Sequence, residues 1–143
     1  MPGAFADQPL LATHLWLPPS RRSPGLARRL VRDFLVRFPE GERFLGSAEL
    51  LVSELVTNAL VHATARGQLI KLGLEGSPGE LLIWVEDPSE LVPRMRCGAG
   101  CEGGRGLLLL DRLAKDWGWG PREGRGKRVW CCLEPDAGPE QPW

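Results

Sequence analysis

From Leu26 onward the apolar residues keep a helical period. Leu26, Ala27, Leu30, Val31, Phe34 and Leu35 return every three or four positions until Pro39 stops the run. Ser23 and Pro24 stand just ahead of it as N-cap and first helical residue. A second helix is predicted from about Glu42 to Ala65, with Ala48, Leu51, Val52, Leu55, Val56, Ala59 and Ala63 as its apolar stripe and Gly67 as the residue that closes it. Before both helices, residues 12–17 alternate enough for an edge strand, which Pro18 and Pro19 end. After them come two strands, near Leu69–Leu74 and Leu81–Asp87, joined through Gly76-Ser77-Pro78-Gly79. Leu81–Val85 is apolar on both faces, which places it mid-sheet. Gly106–Lys115 reads as a short buried helix and Lys127–Leu133 as the last strand, with a short extra strand near Trp117–Trp119.

The order β, α, α, β, β, α, β predicts an α+β fold: a two-layer α/β sandwich with its helices on one face of a mostly antiparallel, mixed sheet. The 143 residues suit one domain over 12–134, with a flexible N-terminus at 1–11 and a frayed acidic tail at 135–143. Lys plus Arg and Asp plus Glu both number 18, so the basic excess of a general nucleic-acid or acidic-membrane binder is missing. No unbroken apolar run exceeds five residues, against the roughly 20 of a membrane span. Met1–Phe5 lacks the basic and apolar regions of a secretory leader, and a cytoplasmic location is expected. Reduced thiols fit that location. Cys131 and Cys132 point to opposite faces of a strand, and Cys97 and Cys101 form no Cys-x-x-Cys pair, with only His14 and His62 to complete a metal site. Arg28, Arg29, Arg32 and Arg37 read as a solvated helix face; a homodimer surface there stays open.

Three segments carry candidate chemistry. Glu54, Asn58 and His62 recur at i, i+4 and i+8, forming a row about 80° wide along one side of the second helix. Asn is a poor mid-helix residue because its amide competes for backbone hydrogen bonds. Such a row serves as a surface or capping row, or as a site in which an Asn oxygen ligates Mg²⁺ and a Glu takes a proton. Asp87 ends an apolar strand directly before Pro88, where its carboxylate either starts a turn or accepts from an exocyclic amine such as that of adenine. Residues 98–106 hold five glycines and lead into Leu107–Leu110. Such a backbone offers amides to an anion at a helix start, and Arg105 adds a forked donor. The Walker pattern is absent, and no strand leads straight into these glycines as a Rossmann fingerprint requires.

Glu54-Leu-Val-Thr-Asn58-Ala-Leu-Val-His62-Ala resembles the N-box of the superfamily containing gyrase, heat-shock chaperone, histidine kinase and mismatch-repair ATPases. Val85-Glu86-Asp87 is similar to its adenine box and Gly103-Gly104-Arg105-Gly106-Leu107 to its second glycine box. Over residues 12–134 the chain looks most like the small anti-sigma-factor serine/threonine kinases of actinobacteria. The resemblance implies the Bergerat-type fold and the cofactors ATP and Mg²⁺. It implies Asn58 as the magnesium ligand, Glu54 as the catalytic base and Asp87 as the reader of the adenine amine. His62, Gly104, Arg105 and Gly106 would complete the nucleotide site, beneath a lid at 88–105. The implied partners are an anti-sigma-factor antagonist and a sigma factor. The chain also departs from the family pattern. Ser89 and Leu91 stand where relatives usually carry Gly, and Lys127-Arg128-Val129 where a Thr often lies near the adenine. Those departures favour an alternative, a non-catalytic module that only sequesters a partner. A histidine-kinase piece is disfavoured, because no dimerising helical pair with a phosphoacceptor His is evident.

Overall fold

The computed structural model describes residues 9–89 and 105–136, apart from the side chains at 62, 64–66 and 105–107. Its elements are β1 (Leu11–Leu17), α1 (Ser23–Arg37), a 3-10 turn (Gly41–Phe44), α2 (Leu45–Arg66), β2 (Ile70–Ser77), β3 (Glu80–Asp87), α3 (Arg105–Leu113), β4 (Asp116–Pro121) and β5 (Lys127–Leu133). The strands make one sheet in the order β1-β2-β3-β5-β4, with the doubly apolar β3 in the middle. The sequence predicts a mixed sheet; all four pairings are in fact antiparallel, because β2–β3 and β4–β5 are hairpins that meet along β3 and β5.

One face of the sheet is covered by helices. Leu17, Ile70, Leu72, Leu74, Leu81, Ile83, Val85, Val129, Cys131 and Leu133 point inward and share a core with Val31, Phe34 and Leu35 of α1 and the apolar stripe of α2. Gly41–Val61 is long and apolar enough to cross a membrane by composition alone, but its stripe from Ala48 to Ala59 faces this core. Arg28 Nη1 donates to Ser53 Oγ at 3.0 Å, and Arg32 pairs with Glu49. Two of the four arginines thus tie α1 to α2 instead of forming only a solvated face. α3 packs against α2 as well, and among its described side chains only Leu110 is fully buried. Leu108 and Leu113 stay partly exposed, so α3 is less enclosed than its sequence predicts.

Local differences have physical causes. Ser23 lies inside α1, and its hydroxyl donates back to the carbonyl of Pro18, leaving Arg22 as the cap position. The helix expected from Glu42 opens as the 3-10 turn. Gly41 is packed so closely that a Cβ would lie 2.0 Å from the Leu35 carbonyl oxygen. Gly76 is not a turn residue: it continues β2 beneath the Phe38 ring, and the turn shrinks to Pro78-Gly79, with Gly79 at φ 73°. α2 closes as predicted, with Gly67 at φ 64° and Gln68 N donating to Ala63 O at 3.0 Å. Of the end expected to be flexible, Leu10 N bonds Gly76 O and Leu11 belongs to β1, so both are held on the sheet. Asp136, within the tail expected to fray, accepts from the Ser47 amide and hydroxyl, supplying the start of α2 with a carboxylate cap.

The opposite face of the sheet bears a different pattern. The Trp84 ring lies over Gly73, where a Cβ would come within 1.9 Å, and Trp130 lies over Gly118 in the same way at 2.8 Å. With Leu82 they make a small second apolar cluster. Arg128 stacks on Trp84 at 4.3 Å and reaches Glu86 at 2.7 Å, while Lys71 sits 5.1 Å from the Trp16 ring.

Candidate functional site

The site begins where β3 and β5 open into loops. Alternation sends Val129, Cys131 and Leu133 inward, and Lys127 therefore points inward too. Register places it directly opposite Asp87. Lys127 Nζ donates to Asp87 Oδ1 at 3.0 Å, and the Ser89 amide donates to the same oxygen at 2.8 Å. Only 3% of the Asp87 side chain and 7% of the Lys127 side chain are exposed. Gly126 permits this approach: its φ is 112°, and a Cβ would sit 2.2 Å from the Asp87 carbonyl oxygen. Ser89 stands at one of the expected glycine positions, and its backbone N–H closes a turn on the Asp87 carboxylate.

The second part lies on α2. Ser53 and Glu49 mark the flank that meets α1. Glu54 lies about 100° further round the helix from Ser53, and Asn58 one turn beyond Glu54, so both occupy the other flank. Each is half-buried. A carboxylate and an amide oxygen there are hard donors suited to Mg²⁺ or to proton transfer. Arg105 and Gly106 open α3, whose first N–H groups have no partner within the helix and favour an anion. His62 continues the row on the α2 backbone. Its side chain and that of Arg105 lie outside the described residues, as do Gly104, Leu91, Cys97, Cys101 and positions 90–104 of the expected lid.

The structure brings Asp87 together with Lys127, which the sequence marks only as one of the three departing residues Lys127-Arg128-Val129. Arg128 is the expected departure near the base, yet it lies on the outer face with Glu86; Lys127 is the residue at Asp87. Strand alternation carried the signal, because Lys127 shares the parity of Val129 and Cys131. A wide recess of about 420 Å³ is lined by Trp16, Gln68, Leu69, Glu86, Arg122 and Glu123. It is open to solvent and takes its strand residues from the outer face, so the inward-facing Asp87 and Lys127 do not line it. That recess therefore lies apart from the buried Asp87–Lys127 pair.

Comparison with known proteins agrees with this architecture. The chain is similar in structure to the RsbU and RsbW domains of Rv1364c from Mycobacterium tuberculosis, with a TM-score of 0.65 and 17% sequence identity. That similarity covers 90% of this chain and 34% of the other, so the chain spans about a third of that structure's length. No curated protein matches it. The family model of the histidine kinase-like ATPase domain matches residues 17–133, and the chain belongs to that family.

Proposed function

We propose that the chain is an ATP-dependent serine/threonine protein kinase of the anti-sigma-factor type, acting in the cytoplasm on an antagonist protein and holding a sigma factor inactive. The observation that carries this reading is the half-buried pair Glu54 and Asn58, one turn apart on the flank of α2 away from α1. The remaining inward positions of that helix are apolar. When bound, ATP supplies the transferable phosphoryl group and Mg²⁺ offsets the phosphate charge. The Asn58 side-chain oxygen would hold the metal. Glu54 would accept the proton from a partner's hydroxyl. Asp87 would accept from the base; its carboxylate has lone pairs beyond the two bonds at Oδ1. The amides of Gly104 and Gly106, with Arg105, would meet the phosphates at the start of α3, and His62 would extend the row on α2.

The test is transfer of labelled phosphate to a Ser-bearing antagonist protein. Glu54→Gln should leave ATP affinity nearly unchanged and slow transfer by about 10²-fold, the scale of general base catalysis. Equal transfer by both proteins would displace Glu54. A second reading, a module that only sequesters its partner, is favoured by one observation: Lys127 already occupies Asp87. It predicts no label on any partner and full partner capture by Glu54→Gln.

A further inference from the structure

We propose that Lys127 reads the nucleotide base together with Asp87, so that the pair forms a donor beside an acceptor and selects adenine over guanine. The proposal rests on the nucleotide-binding reading above. A site with an aspartate alone offers only an acceptor, which suits the 6-amino group of adenine. Here the cross-strand neighbour of that aspartate is an ammonium 3.0 Å away, pointing into the same inner face.

An ammonium carries three donors. Among the described residues, Lys127 spends one, on Asp87 Oδ1. Asp87 takes both of its bonds on Oδ1, one from Lys127 and one from the Ser89 amide, which leaves Oδ2 to accept. Adenine presents a ring acceptor at N1 next to its 6-amino donor. Guanine presents an acceptor at O6 next to the N1–H donor. With the 6-position at Asp87 and position 1 at Lys127, the pair complements adenine, whose N1 takes the ammonium, whereas guanine turns O6 to the carboxylate and N1–H to the ammonium. Both groups are nearly excluded from water, where a missing partner for a charge is costly. Arg128 takes no part, since Glu86 and Trp84 hold it on the outer face.

The experiment is calorimetric titration of the full chain, in Mg²⁺, with ATP, GTP and 1-deaza-ATP, in which a C–H replaces the N1 acceptor. GTP should bind about tenfold or more weakly than ATP. 1-deaza-ATP should bind about tenfold or more weakly than ATP, the scale of one lost hydrogen bond to a charged group. Lys127→Met, checked for folding by circular dichroism, should erase the 1-deaza penalty. The analogue comparison uses the unaltered protein and so stands even if the variant does not fold. Equal binding of ATP and 1-deaza-ATP, or of ATP and GTP, would overturn the role of Lys127. No binding of any of the three to the folded protein would instead refute the nucleotide reading itself.

Discussion

Glu86–Arg128 and Asp87–Lys127 are neighbouring ion pairs on the same two strands, one register step apart, yet the pleat sends them to opposite faces. The outer pair is partly wet and is clamped by the Trp84 ring, so its attraction is screened and its role is to seal a sheet face. The inner pair is dry and lies at the strand ends where the loops begin. Position, not charge type, decides which pair is partly wet and which is dry. The sharpest way to break this contrast is to remove one partner of each pair. Lys127→Met leaves a buried carboxylate uncompensated and should cost about 3–5 kcal/mol in denaturant unfolding. Replacing both members, Asp87→Leu with Lys127→Met, should recover most of that loss. A single-variant cost no larger than that of Arg128→Met would erase the distinction.

Gly73→Ala tests the outer face by a different route. The new methyl would meet the Trp84 ring and push it from its place under Arg128, costing about 1–3 kcal/mol and changing the near-ultraviolet circular dichroism of the tryptophans. Unchanged stability and spectra would mean that Trp84 is free to move. Arg128→Met should have a smaller effect, at most about 1 kcal/mol, and added salt should weaken the outer pair more than the inner one.

The same pleat separates Cys131 and Cys132, and gives the smallest predicted effect. Burial raises the Cys131 pKa well above the ordinary thiol range. Burial, with the nearby Glu80 charge, pushes Cys132 up to about 11. In the native protein neither should be alkylated at pH 8, and Cys132 should react first as the pH nears 11, read by site-resolved mass spectrometry. Because the folded pKa values are raised, these thiols favour the fold below the unfolded thiol value near 9, and that contribution is lost as pH climbs beyond it. Earlier alkylation of Cys131 would show that the inner face is not sealed.

Much of this arrangement is legible in the residues. The i, i+3, i+4 stripe from Ala48 to Ala63 gives α2, and the doubly apolar Leu81–Val85 marks the central strand. Gly67 closes its helix because only a backbone at positive φ completes the cap. Gly41, Gly73 and Gly76 were harder to read. Their missing side chains make room for a carbonyl and two aromatic rings that come from distant parts of the chain. Asp136 could not be matched to the start of α2 because the contact spans the whole domain. The half-buried places of Glu54 and Asn58 follow from helical spacing alone. Lys127 was visible as a departure, but its meaning depended on register: a shift of one residue would have put Arg128 at Asp87.

ATP titration by calorimetry, with and without Mg²⁺, decides whether this chain binds nucleotide through a metal held by Asn58. Saturable one-to-one binding of ATP that Mg²⁺ strengthens is expected, as is an Asn58→Ala variant that loses Mg·ATP affinity while binding metal-free ATP almost as before. Equal losses with and without Mg²⁺ in that variant, or no binding of ATP by the folded protein, would contradict it.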